Sequence, residues 1–169
     1  MDKEAFHKQM LHSAFCVMAC DGEIHELEIQ EIKHVAETTP YFSDLDIDAE
    51  LKEMLATLKD KGRLFFSEYF EYLEQQDIDD VQKLLLFEVV LRIIYADKKL
   101  DDNEVVFLRA LKKRLNIPDA LILDRFGEVK ALGIRKEESY ESLSPKELSD
   151  VFTVGEILEL KLGEEDAES

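Results

Sequence analysis

The sequence predicts an all-α fold. It reads as a single domain of about seven helices with an internal pseudo-twofold helix–acidic turn–helix repeat, followed by an acidic C-terminal extension. Three observations predict it. The 169 residues hold only three Pro and six Gly, which leaves little room for turns, and no stretch alternates long enough to make a strand. Apolar residues recur at helical spacing along most of the chain. Finally, Cys20-Asp21-Gly22-Glu23-Ile24-His25-Glu26-Leu27-Glu28-Ile29 is echoed by Ala96-Asp97-Lys98-Lys99-Leu100-Asp101-Asp102-Asn103-Glu104-Val105 at a constant offset of 76. Asp21 falls on Asp97, Glu28 on Glu104, Ile24 on Leu100, Ile29 on Val105 and Ile32 on Leu108. The length is that of one domain, and it suffices to bury about two-thirds of the unfolded surface.

The first helix is read over Lys3–Cys20, with Phe6, Met10, Ala14, Phe15, Val17 and Met18 forming its apolar side. Gly22 supplies the left-handed residue that ends it. A second helix restarts at His25 or Glu26, turns Leu27, Ile29, Ile32 and Val35 inward, and closes before Pro40. Tyr41–Asp48 reads as a loop. Asp48 then caps a third helix through Lys61, whose apolar face is Leu51, Met54, Leu55 and Leu58. Gly62 punctuates. Arg63–Gln76 is a fourth helix rich in aromatics: Phe65, Phe66, Tyr69, Phe70 and Tyr72. Such residues fill core space more often than they form a partner face.

Asp79 begins the fifth helix, with Gln82 in the capping-box position. From Leu84 to Ala96 only Glu88 and Arg92 are charged, so this helix is expected to be the most buried. The two lie four apart on one face and are expected to pair. The offset puts Glu88 on His12 and Arg92 on Cys16, which makes the first and fifth helices equivalent. A sixth helix, Asp102–Leu115, turns Val105, Leu108 and Leu111 inward and stops at Asn116. A seventh opens at Pro118 or Asp119 and runs to Gly127. The helical domain is assigned to residues 1–135 and the acidic, partly helical extension to 136–169. There, Ser144-Pro145-Lys146-Glu147 reads as a helix start, Val151–Leu162 as an apolar-faced segment and Gly163–Ser169 as a loose end.

The net charge is −18, and Glu137–Ser169 carries half of it. Phosphate binding is driven by Lys and Arg, so nucleic acid is not expected as a partner. Docking on an anionic membrane surface is disfavoured for the same reason. The Leu84–Ala96 stretch is too short and too charged to insert into a bilayer. A cation or a basic protein patch suits the acidity; so does plain solubility. Met1-Asp2-Lys3-Glu4 shows no basic start before an apolar run, so no signal peptide is read and a cytoplasmic protein is expected. Cys16 and Cys20, four apart in a helical pattern, read as buried thiols rather than a disulfide framework. Nothing in the sequence speaks to oligomeric state.

The acidic turns carry the main candidate site. Asp101 and Glu104 have capping-box spacing, and His25 and Glu28 hold the same places with a poorer cap. Glu28 and Glu104 therefore have a sufficient structural reason to exist. Asp21 and Asp97 each sit at or just past a helix C-terminus, where a carboxylate is unfavourable by a few tenths to about 1 kcal/mol. Two at equivalent positions ask for a reason. An Asx-type turn is one; a bound cation is the other. Carboxylates and helix-end carbonyls are hard oxygen ligands that suit Ca2+ or Mg2+. The spacing is not that of an EF-hand, whose ligands span twelve positions with Gly at the sixth.

The pattern Cys20-Asp21-Gly22 with Glu28 seven residues after the Asp, echoed by Ala96-Asp97-Lys98 with Glu104, flanked by apolar helices, resembles the TerB-like domains of bacterial tellurite-resistance proteins. A related domain precedes the J-domain in some membrane-anchored DnaJ-like co-chaperones. The resemblance covers residues 3–135. It implies an all-helical fold with internal pseudo-symmetry and an acidic cluster credited with binding divalent metal. Carried onto this chain, that cluster is Asp21, Glu28, Asp97 and Glu104. The second copy departs from the family, reading Asp97-Lys98-Lys99 where Asp-Gly is usual. Lys in a left-handed position costs on the order of 1 kcal/mol relative to Gly. The two ammonium groups also compete with a metal for Asp97 and Asp101, so a second, equal metal site is not expected. His25 replaces a small polar or acidic residue. No His-Pro-Asp occurs in these residues, so no J-domain is expected among them.

His12, Cys16 and Cys20 stand at i, i+4 and i+8, where neighbours are able to share a soft metal; tight core packing is the favoured reading. No phosphate-binding Gly loop, nucleophile elbow or His-Glu-x-x-His is present. The expectation is a non-catalytic TerB-like domain that binds a divalent cation and acts in a stress-response or membrane-associated complex with a protein partner. The alternatives are an acidic interaction module that recognises a basic partner without metal, and a metal-assisted hydrolase built on the carboxylates.

Overall fold

A computed structural model describes residues 1–97, 99–133, 145–146 and 152. Among them are seven α-helices and no strand: α1 (Lys3–Ala19), α2 (Glu26–Thr38), α3 (Ile47–Lys61), α4 (Leu64–Glu74), α5 (Asp80–Ile94), α6 (Asp102–Leu115) and α7 (Asp119–Phe126), then a 3-10 turn at Lys130–Gly133. The all-α single domain is as expected. α1 lies along α5, and these two pseudo-equivalent helices form the centre of the molecule. α6 packs on α1, α4 and α5; α3 joins α1 to α4. No helix of the described residues is long and apolar enough to cross a membrane.

The helix ends follow local chemistry. Asp79 caps α5, accepting from Gln82 N at 2.8 Å while Gln82 Oε1 accepts from Asp79 N at 3.2 Å. Asn116 ends α6 in the left-handed region at φ 54°. Gly22 has φ 88°, a conformation that costs Gly nothing. One cap moves: Asp46 rather than Asp48 starts α3, accepting from Ala49 N at 3.2 Å. Asp48 instead lies 3.5 Å from Lys33 Nζ.

Two burial expectations are corrected. α1, not α5, is the most buried helix, with 12 of its 17 residues inside against 8 of 15 in α5. Two polar residues of α1, His7 and Ser13, go inside with partners, whereas Gln9 Nε2 and His12 Nε2 are buried without one among the described residues. His7 Nδ1 meets Asp44 at 2.5 Å, and Ser13 Oγ donates to Gln9 O at 2.8 Å while pairing with Tyr69 OH at 2.6 Å. A buried polar group that finds such partners loses little on burial. Leu27 is 51% exposed, because it lies about 200° around α2 from Ile29, off the stripe that Ile29, Ile32 and Val35 make. The aromatic run is largely core: Phe65, Phe66, Tyr69 and Phe70 are buried.

Of the extension, only residues 145, 146 and 152 are described. The rest of the helix start at Ser144–Glu147, of the Val151–Leu162 segment and of the loose end at Gly163–Ser169 lies outside the described residues, as does Lys98. Phe152 is buried against α4 and α6.

Candidate functional site

The two acidic turns repeat each other in detail. Asp21 Oδ1 accepts from the backbone N–H of Glu23 at 3.0 Å, and Asp97 Oδ1 accepts from that of Lys99 at 3.0 Å. Both are Asx turns, one of the two reasons anticipated for an Asp at a helix end. Glu28 Oε1 accepts from His25 N at 2.9 Å and Glu104 Oε1 from Asp101 N at 3.1 Å. These are the carboxylate halves of two capping boxes. Asp101 Oδ1 also accepts from Asn103 N at 2.7 Å.

The tertiary fold brings the two turns together, which their 76-residue separation does not reveal. Asn103 Nδ2 donates to Cys20 O at 3.0 Å, tying the start of α6 to the last carbonyls of α1. His25 Nε2 of the first copy lies 3.9 Å from Asp97 Oδ2 of the second, and 3.8 Å from Glu23 Oε2. Among the described residues, His25 is the one basic side chain within 4 Å of these carboxylates.

Electrostatics records how close the acids are. Glu28 and Glu104 are 1% and 4% exposed, and the Asp97 side chain is 11% exposed. Burial pushes the Glu28 carboxyl up to about 9, with Glu104, Asp97 and Asp21 adding repulsion against the His25 amide bond that lowers it. Burial pushes Glu104 up to about 8, with Asp97, Asp101 and Asp21 adding to it. Asp21 is raised by burial and by Asp101. A carboxyl group in low dielectric beside other acids favours its neutral form, so Glu28 and Glu104 hold protons at neutral pH. Each predicted site residue thus joins one cluster. Asp101 is a member that the sequence marked only as a cap.

The side chains do not close around a point. Among the described residues, no group of three or more His, Cys, Asp or Glu stands ready to hold an ion. The donor chemistry, carboxylate and carbonyl oxygen, is that of a hard cation. The His12–Cys16–Cys20 series forms no such group either. Both thiols are buried, and burial pushes them up. Burial drops His12 to about 4, and its ring stands edge-on to Phe65 and Tyr69. The core-packing reading describes the two cysteines, whereas His12 is half-buried at the edge of the aromatic core with its Nε2 unpartnered among the described residues.

Among the described residues, cavities of about 530, 650 and 380 Å³ lie by Glu88 and Arg92, by Ile122 and Leu123, and by His12 and Lys61. None is lined by Asp21, Glu28, Asp97 or Glu104.

A family model described as tellurite resistance protein TerB matches residues 7–123. The chain belongs to the TerB family. The match takes in most of α1 through most of α7 and both acidic turns. No curated protein and no solved structure matches the sequence.

Proposed function

We propose that this chain is a non-catalytic TerB-like domain whose paired acidic turns take up one divalent cation, Ca2+ or Mg2+, through Asp21, Glu28, Asp97 and Glu104. One observation carries the reading. Two repeat copies bury acids against each other, with His25 the one basic side chain beside them among the described residues. Each of the four uses one carboxylate oxygen in a turn or cap and keeps a second. A cation would replace the protons on Glu28 and Glu104 and neutralise the cluster, supplying a structural charge rather than a reaction step. The domain would then act in the cytoplasm, within a stress-response or membrane-associated complex. In that role it is akin to the domain of DnaJ-like co-chaperones.

A thermal melt of metal-stripped protein tests this, titrated with Ca2+, Mg2+, Mn2+ and Zn2+ beside the Asp21→Asn, Asp97→Asn double variant. A ligand at 100 times its Kd adds about 2.7 kcal/mol, at roughly 2–4 °C per kcal/mol for this size. The rise should appear in wild type and vanish in the variant. A second reading is an acidic interaction module that binds a basic protein without metal. The lack of convergence among the side chains favours it. Indifference to every ion, with salt-sensitive binding to a basic partner, would establish it instead. A metal-assisted hydrolase built on the same carboxylates is the third reading, and the cavities by Glu88, Ile122 and His12 take no lining residue from Asp21, Glu28, Asp97 or Glu104.

A further inference from the structure

Phe152 lies beyond the residues matched to the family, in the acidic stretch, yet its side chain is 2% exposed. Its ring centroid is 5.3 Å from Phe66, 5.9 Å from Phe107 and 6.4 Å from Phe70, nearly parallel to Phe70 at 22°. Phe66 and Phe70 stand four apart on α4, so they share a face. Phe107 reaches across from α6, its centroid 5.3 Å from Phe70. These rings are held without Phe152. Tyr69 stacks on Phe107 at 5.6 Å, Phe65 stands edge-on to Phe66 at 5.8 Å, and the Arg114 guanidinium lies 5.5 Å over Phe70. The result is a cup of three rings from two helices, the size of one aromatic side chain.

We propose that the cleft between α4 and α6 is a binding site for a single aromatic side chain, which Phe152 occupies in cis, clipping the acidic C-terminal segment to the TerB domain. The recognition is apolar and geometric. A phenyl ring buries a large area and gains further from offset and edge contacts with neighbouring rings. The three rings that receive it carry no hydrogen-bonding group, so a polar side chain would find no partner among them and a small one would leave the cup unfilled. The site is independent of the acidic turns.

The test uses the full chain as wild type, Phe152→Leu and Phe152→Ala. Phe152→Ala should melt roughly 5–15 °C below wild type and Phe152→Leu between the two. Benzene should raise the melt of Phe152→Ala by a few degrees and leave wild type unmoved, because an apolar vacancy of this kind takes up a free ring. A synthetic peptide of residues 145–160 should bind Phe152→Ala but not wild type, and the same peptide with Ala at that position should bind neither. A Phe152→Ala protein that melts like wild type would overturn the proposal. So would one that melts low but takes up neither benzene nor peptide, since that describes a collapsed core position rather than a site.

Discussion

Glu88 and Glu28 are both buried glutamates on helices of the same core, and their charge is met by different means. Glu88 sits on α5 and gathers partners from elsewhere in the chain. Arg125 Nη2 on α7 is 2.7 Å from its Oε1, Arg92 Nη2 is 3.1 Å from its Oε2, and Tyr41 OH donates at 3.2 Å. Arg92 also reaches toward Glu31 of α2 at 3.9 Å. Glu28 has the amide of His25, and the side chains around it are mostly acids. The first carboxylate is answered by guanidinium groups of the protein. The second is answered by a proton or, in the reading proposed above, by a cation. A buried acid without its own cation is costly to ionise and is held in its neutral form.

Three measurements would break or sharpen that contrast. The largest effect should be on the pH dependence of stability. Folded Glu28 and Glu104 hold their protons to about 9 and about 8, against 4.5 for a free glutamate. Their contribution is therefore fully present below about pH 4.5 and is lost as pH rises through 8 and 9. Metal-free protein should lose on the order of a few kcal/mol over that window, read by urea melts at each pH. Glu28→Gln with Glu104→Gln keeps the caps and should flatten the slope. An unchanged slope in that variant would show that the cluster does not bear the protons.

The next effect belongs to Glu88. Replacing it by Ala leaves Arg125 without this acid and Arg92 with only the longer contact to Glu31. The loss should be about 1–3 kcal/mol, below that of a fully buried pair because both guanidinium groups are partly exposed. Denaturant midpoints measure it, and no divalent ion should restore them. The smallest effect is at Asn103, which occupies the place of the exposed Leu27 in the first copy. Asn103→Leu makes the second turn like the first and removes the bond to Cys20 O. It should cost roughly 0.5–1.5 kcal/mol and weaken any ion-dependent rise in the melt by loosening the join between turns. A variant that melts like wild type would mean the turns are aligned by α1 and α6 packing alone.

Much of this was legible from residue order. Asp79 with Gln82, Asp101 with Glu104 and Asn116 as a stop each act within one helical turn, so their spacing carries the signal. Glu88 with Arg92 is local in the same way. What spacing could not show was Arg125 and Tyr41 at Glu88, Asp44 at His7 or Tyr69 at Ser13, which come from 37 to 56 residues away. That blindness is why α5 looked more buried than α1. A continuous apolar run is visible in a sequence, whereas a polar residue that finds a distant partner is not.

The sequence by itself determined the helices, their caps and the pairing of two acidic turns by repeat. Periodicity and capping are short-range, and a duplicated pattern is read by alignment with itself. Only the tertiary structure decided that the turns meet, that Glu28 and Glu104 are buried among acids, and that Phe152 closes a cup of rings between α4 and α6. Each of those depends on which helices pack together. Packing is chosen by the whole set of apolar faces and distant partners at once, not by any one stretch of the chain.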